Sequence, residues 1–259
     1  MNDSATTRRI DLRRVEEANL NCLPAPRQLF YDGWVLRLTP GHTKRARSVN
    51  AFFGSTRPLS EKIAHCEALY DGVGLPCLFR VTPFDMPPSL DRELAARGYV
   101  AFENTLVQIA PLPSPPDFVP PPDVDVTSVS ANAFSEALIA LKGTPARQRA
   151  TRRAWLSQTP LPARAVVAKI DGRTVGVGQS SIDGGFAMIG SVATADDVRG
   201  RGIASAVVGA LLAWAWGRNA HHAYLQVNDD NHRAFAVYRK FGFETTYAYH
   251  YRGRPGACE

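Results

Sequence analysis

Two stretches of this 259-residue chain set chemically capable groups at regular spacing. The first runs Val192-Ala193-Thr194-Ala195-Asp196-Asp197-Val198-Arg199-Gly200-Arg201-Gly202-Ile203-Ala204-Ser205. It reads as the end of a strand, a turn holding two glycines and two arginines, and the start of an apolar helix. Backbone N–H groups left free at a helix N-terminus, at the positive end of its dipole, bind anions. Glycine lets the main chain approach a phosphate closely, and Arg199 and Arg201 add charge. A plain strand–turn–helix joint with two solvated arginines shares this pattern, so the stretch alone does not decide. The lysine of a Walker loop is missing, and a dinucleotide-binding G-x-G-x-x-G breaks at Ser205.

The second stretch is Tyr224 to Glu244, a strand followed by a short helix. Asn231 and Tyr238 are seven residues apart, two helical turns, and so share one face. Ala234 lies between them and is small enough to let an extended ligand arm pass. Tyr238 is equally well placed as a core aromatic before Gly242, the residue expected to cap the helix.

Together the stretches match R-x-x-G-x-A at Arg199, Gly202 and Ala204, then N-x-x-A-x-x-x-Y-x-x-x-G-F at Asn231, Ala234, Tyr238, Gly242 and Phe243. In this the sequence resembles the GNAT acetyltransferase superfamily over roughly residues 124–251. The resemblance implies a GNAT fold there, acetyl-CoA as cosubstrate, a primary amine as acceptor, and no metal. It implies that the loop Arg199–Ser205, with Gly200, Arg201 and Ile203, holds the pyrophosphate. It implies that the main chain of Val192, Ala193 and Thr194 pairs with the pantetheine arm, as in strand addition, and that this strand and the next splay around the acyl group. It also implies that Asn231 and Ala234 flank the arm, and that Tyr238 is the general acid to the leaving thiolate. A phenol with a pKa of about 10 suits that role.

The general base is left open. A free amine must lose a proton, yet Phe186–Ala193 carries no carboxylate. Asp183, Glu136, Glu244, His250 and a water relay stand as equal candidates. The adjacent pair His221 and His222 reads as a solvated turn rather than a metal site. The acceptor is not specified either, because fold and cofactor loop do not fix the second substrate.

The elements needed to position these groups are legible from periodicity. The expected strands in the second half are Val124–Val129, Ala163–Ile170, Arg173–Ile182, Phe186–Ala193, Ala223–Val227 and Glu244–Tyr251. The expected helices are Asn132–Lys142, Ile203–Trp216 and His232–Phe241. The first half reads as strands Trp34–Thr39, Ser48–Phe53, Leu78–Thr82 and Tyr99–Ile109, with helices Leu59–Tyr70 and Ser89–Arg97. The whole is an α/β chain with a mixed sheet. Leu94-Ala-Ala-Arg-Gly-Tyr99 and Tyr238-Arg-Lys-Phe-Gly-Phe243 repeat one helix–Gly–aromatic joint. With the family resemblance, this implies a tandem arrangement with a degenerate first copy, in which Leu94 takes the place of Tyr238. Trp34, Arg37, Thr43, Arg45, Arg47 and Asn50 form a polar-aromatic cluster in that copy, serving either an acceptor pocket or a covered sheet edge.

Seven of the 19 prolines fall in Pro111–Pro122, expected to be an extended connector between residues 1–110 and 123–259. Thirty Lys+Arg against 24 Asp+Glu give +6, which permits an anionic ligand but does not name one. Arg147–Arg153 is the densest basic run. It lacks interleaved aromatics, which argues against nucleic acid and for a solvated helix face or a grip on an acidic acceptor. Four scattered cysteines and a polar N-terminus lead us to expect a soluble, cytoplasmic protein without a membrane span. A non-catalytic acyl-CoA-binding module is the rival reading.

Overall fold

The computed structural model describes residues 10–41, 43–143 and 159–257. In chain order the elements are α1 (Leu12–Cys22), β1 (Gln28–Tyr31), β2 (Trp34–Arg37), β3 (Val49–Asn50), α2 (Leu59–Gly72), β4 (Phe79–Val81), α3 (Leu90–Ala96) and β5 (Val100–Pro111). Then come β6 (Asp125–Val129), α4 (Ala131–Leu141), β7 (Ala163–Ile170), β8 (Arg173–Asp183), β9 (Phe186–Thr194), α5 (Ile203–Trp216), β10 (His222–Asn228), α6 (His232–Arg239) and β11 (Glu244–Gly253).

All eleven strands join one mixed sheet in the order β1-β2-β3-β4-β11-β5-β10-β9-β8-β7-β6. Its centre is an exchange. The last strand of the first half, β5, pairs with β10, and the last strand of the chain, β11, pairs with β4. Outward from the central β11–β5 pair the ladder repeats on both sides. An antiparallel partner is followed by a parallel pair (β4 with β3, β10 with β9), then by antiparallel pairs, two toward β1 and three toward β6.

Helix α5 is apolar all round, as a helix covered on several sides must be. It lies close on β8 because Gly176 and Gly178 have no side chains. A Cβ on Gly176 would stand 2.6 Å from Ile203 Cγ2, and one on Gly178 2.4 Å from Val207 Cγ1. Alternation along β7 sends Val166 and Ala168 to the α5 core and Ala165 and Val167 to the α4 core on the opposite face. Residues 112–122 hold no strand or helix, as their prolines dictate, but they are not a free tether. The Phe118 ring lies tilted against Phe241 at 5.5 Å and covers Gly209, and Pro121 sits against Gly202.

The N-terminal elements differ from expectation. Helix α1 and strand β1 were not anticipated. Helix α1 buries Glu16 and Asn19 alongside Val15, Ala18 and Cys22, and those polar residues on its inner face hide the apolar stripe. The Glu16 carboxylate bonds Arg80 at 2.6 and 3.0 Å and accepts the Tyr247 hydroxyl, so α1, β4 and β11 meet at a buried charge pair. Burial pushes the Glu16 carboxyl up, but the Arg80 guanidinium outweighs this and holds it below its ordinary range. The expected strand Ser48–Phe53 shrinks to Val49–Asn50, since Asn50 turns its side-chain amide onto Ser48 O. The remaining strands and helices fall within a few residues of the expected spans. Among the described residues no helix is long and apolar enough to cross a membrane.

Candidate functional site

Strand β9 is paired on both sides for only half its length. Phe186–Ile189 face His222–Leu225 of β10 in parallel register; beyond Ile189, β9 pairs only with β8. Strand β10 continues through Gln226–Asn228 with β5 alone. The two parallel strands therefore diverge after Ile189 and Leu225. A bulge marks the divergence. Gly178 of β8 opposes both Ser191 and Val192, and Ser191 takes a φ of 52°. The Gln179 amide donates to Ser191 Oγ at 3.2 Å and steadies the bulge. Val192, Ala193 and Thr194 follow on the half-free edge, Val192 packing toward α5 and Ala193 toward α4.

A 3-10 turn at Asp196–Val198 leads on to Gly200 and Gly202, with φ of 82° and 80°. Gly202 is the N-cap of α5 and no side chain bonds the first amides of the helix. The amides of Ile203, Ala204 and Ser205 thus remain donors at the positive end of the dipole. At Gly200 a Cβ would meet nothing within 4 Å, so the space before the helix is open. Both arginines are half exposed and held by carboxylates of the chain, Arg199 by Asp196 and Arg201 by Asp123. They frame the turn as ion pairs rather than as bare cations.

Helix α6 begins at Asn231, whose Oδ1 accepts from Ala234 N at 3.3 Å. That oxygen is committed to the cap, which leaves the side-chain NH2 as the group able to meet a ligand. Tyr238 is partly buried against the α5 core and meets Phe243 edge-on at 5.8 Å. Burial alone pushes its phenol up to about 12, so it holds its proton at neutral pH.

The four carboxylate and imidazole candidates for a base are not brought together. Asp183 closes the β8–β9 hairpin at the far end of β9 and accepts from Asn21 at 2.7 Å. His250 pairs with Asp91 at 2.9 Å on β11, Glu244 is exposed at the start of that strand, and Glu136 lies on α4. The six-residue cluster of the first half is largely structural. Trp34 Nε1 donates to Met86 O at 2.9 Å, Arg37 to Gln28 Oε1 at 2.9 Å and Leu23 O at 3.1 Å, and Arg45 to Asn19 Oδ1 at 3.2 Å. The basic run Arg147–Arg153 lies outside the described residues. Among the described residues no group of three or more His, Cys, Asp or Glu is placed to hold a metal.

Groups that sequence reasoning passed over include Gln179, Ser191, Asn19 and Gln226. Gln226 follows Leu225, the last residue of β10 paired with β9, bonds Asn19 of α1 through its amide, and accepts from Tyr249 at 2.8 Å. Nothing in the local sequence around these residues signals the bulge or the exchange that brings them near the divergence.

The model of the Acetyltransferase (GNAT) family matches residues 132–243, the span holding the diverging strands, the glycine turn and α6. Over that span the chain is similar to the GNAT acetyltransferases. Over 250 residues it is 27% identical to the uncharacterized N-acetyltransferase YobR of Bacillus subtilis (strain 168), covering 93% of this chain and 98% of that one. A GCN5-related N-acetyltransferase from Kribbella flavida superposes with a TM-score of 0.73 at 18% identity, over 94% of this chain and 95% of that chain. A tandem GNAT protein from the clavulanic acid biosynthesis pathway gives 0.62 at 16% identity, over 79% and 74%. These likenesses extend the shared fold beyond the acetyltransferase domain into the first half.

Proposed function

We propose that the acetyltransferase acts on a primary amine by direct attack on acetyl-CoA, with Tyr238 as general acid. The observation that carries this is the half-free edge of β9 running straight into an uncapped glycine turn and helix. The residues present fit the cosubstrate: an open strand edge for an amide-bearing arm, free helix amides for a diphosphate, and a protonated phenol. Bound acetyl-CoA supplies the thioester whose C–S bond is exchanged for a C–N bond. The main chain of Val192, Ala193 and Thr194 holds the arm along the edge. The amides from Gly200 to Ser205 bind the diphosphate, with Arg199 and Arg201 at its rim. Asn231 offers its NH2 to the arm, and Ala234 leaves room for it. Tyr238 holds a proton on Oη and delivers it to the departing sulfur. The acceptor ammonium gives up its own proton to water.

We read residues 1–110 as a degenerate copy of the same fold, 111–122 as its connector and 123–259 as the active copy. The repeated ladder supports this, as does the joint after α3 and α6. Tyr99 N donates to Leu94 O at 3.0 Å where Phe243 N donates to Tyr238 O at 3.3 Å, each across a left-handed glycine, Gly98 and Gly242. Leu94 is fully buried where the active copy has Tyr238.

Thiol release with acetyl-CoA and a panel of amines tests the mechanism. Tyr238→Phe is expected to lower kcat about 10²-fold or more with acetyl-CoA affinity unchanged, the usual size of acid assistance. Wild-type kcat/KM is expected to rise with pH as the amine deprotonates, with no alkaline fall from Tyr238 below about pH 10. An unchanged kcat in Tyr238→Phe would remove the residue from the mechanism. Tight acetyl-CoA binding without turnover of any amine would favour a non-catalytic binding module.

A further inference from the structure

On the α1 face of the sheet, beside the bulge in β9, lies a cleft of about 160 Å³. Its walls come from both halves of the chain. Cys22 and Leu23 stand at the end of α1, Gln179 and Ser181 on β8, and Met188 on β9. The last three are linked by register and by the bulge: Ser181 lies opposite Met188, Gln179 lies opposite Gly190, and Met188 Sδ leans over Gly190 into the space its side chain lacks.

Arg164 is the one charged residue among the described lining residues, and it belongs to the other face. It shares the parity of Val166, and its guanidinium stands 5.7 Å from the Trp214 ring on α5. The polar groups at the wall are neutral and three lack partners, Ser180 Oγ among them. Ser181 Oγ, on a residue 4% exposed, and Gln179 Oε1 are buried with no hydrogen bond. Buried groups of this kind are ordinarily satisfied, by protein, water or ligand. Cys22 gives its S–H to Ser181 O at 3.6 Å, which keeps that corner neutral as well.

We infer that this cleft seats the body of the acceptor, and that the acceptor is a small amine whose body is uncharged and carries a hydroxyl or amide. The inference rests on the transfer reading above. An apolar cavity of about 150 Å³ holds a ring of six heavy atoms, which sets the size. A second ammonium or a carboxylate in the cleft would be buried without a counter-charge from the described residues of this face, which is strongly unfavourable. A hydroxyl or amide would meet Ser181 Oγ and Gln179 Oε1 while its carbon chain lies on Leu23 and Met188.

Three amines of nearly equal length separate these classes: 4-aminobutan-1-ol, 1,4-diaminobutane and 4-aminobutanoate. Acetyl-CoA binding is measured by calorimetry on the full chain, and turnover by thiol release. The expected result is acetyl-CoA binding, with kcat/KM for the amino alcohol at least about tenfold above either charged amine. Gln179→Glu, which puts a carboxylate at the wall, should narrow or reverse the gap to the diamine. If that variant does not fold, Ser181→Ala removes only an unpartnered hydroxyl, and should lower kcat/KM for the amino alcohol but not for 1-aminobutane. Absence of acetyl-CoA binding would overturn the transfer reading and this inference with it. Binding without turnover of any of the three would overturn the inference. So would turnover that favours a charged amine and is indifferent to Gln179→Glu and Ser181→Ala.

Discussion

Each half of the sheet has an Asp–Gly hairpin and, one strand beyond it, a loop leading into a helix, and the two halves satisfy the amides of that loop differently. Asp32–Gly33 joins β1 to β2 with φ of 43° and 82°; Asp171–Gly172 joins β7 to β8 with 49° and 78°. In the first half the Asp32 carboxylate accepts from the amides of Thr56 and Arg57 at 3.0–3.1 Å and from the Thr56 hydroxyl at 2.8 Å. Lys62 of α2 closes the arrangement at 3.3 Å. The Arg57 and Thr56 amides hold the Asp32 carboxyl well below its ordinary range. Gly33 is pressed so near Gly54 that a Cβ would stand 2.1 Å from Gly54 O. In the second half no side chain caps α5, and Asp197 of the preceding turn pairs outward with Arg173 at 2.7 Å. The loop of the first half has thus been given an internal anion, while that of the second half keeps its donors free. The two loops differ in which group meets a few backbone amides: the Asp32 carboxylate in the first, none of the chain's side chains at the start of α5.

The exchange at the centre ties the two halves together, and breaking it should have the largest effect. Arg80→Met leaves Glu16 buried without its counter-charge, and unfolding free energy is expected to fall by about 3–5 kcal/mol in chemical denaturation. A loss confined to the first half, with a separate later transition for the acetyltransferase, would show that the halves are independent. Next comes the glycine turn. Gly202→Val imposes a branched side chain at φ 80° and against Pro121, whose Cγ would be 3.1 Å from a Cβ. It is expected to raise KM for acetyl-CoA about 10- to 100-fold with a much smaller change in kcat.

Much of this contrast was legible in sequence, and the part that was not has a physical cause. Ile203–Trp216 and Ala163–Ile170 follow from uninterrupted apolar runs bounded by turns, and both spans match the structure. The turn holding Arg199 and Gly202 and the short helix carrying Asn231 and Tyr238 were readable as elements, because glycines mark the turn and Asn231 and Gly242 bound the helix. The seam was not readable. Glu16 pairs with Arg80 across 64 residues and accepts from Tyr247 across 231, and no local pattern records such partners. The pairing of β5 with β10 likewise depends on which of two similar edges each terminal strand takes.

The smallest effect is expected from the internal anion itself. Asp32→Ala should lower Tm modestly at neutral pH without creating a second acetyl-CoA site, because Pro58 and Leu94 still lack the donors and the phenol. The sign of its pH dependence follows from a depressed carboxyl. Its contribution is present above the unfolded pKa, near 3.9, and is lost as pH falls below it. The difference in Tm between wild type and Asp32→Ala should therefore shrink in acid.

On the proposed function, the second half binds acetyl-CoA and the first only supports it. Calorimetric titration of the full chain with acetyl-CoA measures this directly. The account requires one site per chain, weakened strongly in Gly202→Val and untouched in Asp32→Ala. Two sites per chain, or a single site that survives Gly202→Val and is lost in Asp32→Ala, would contradict it.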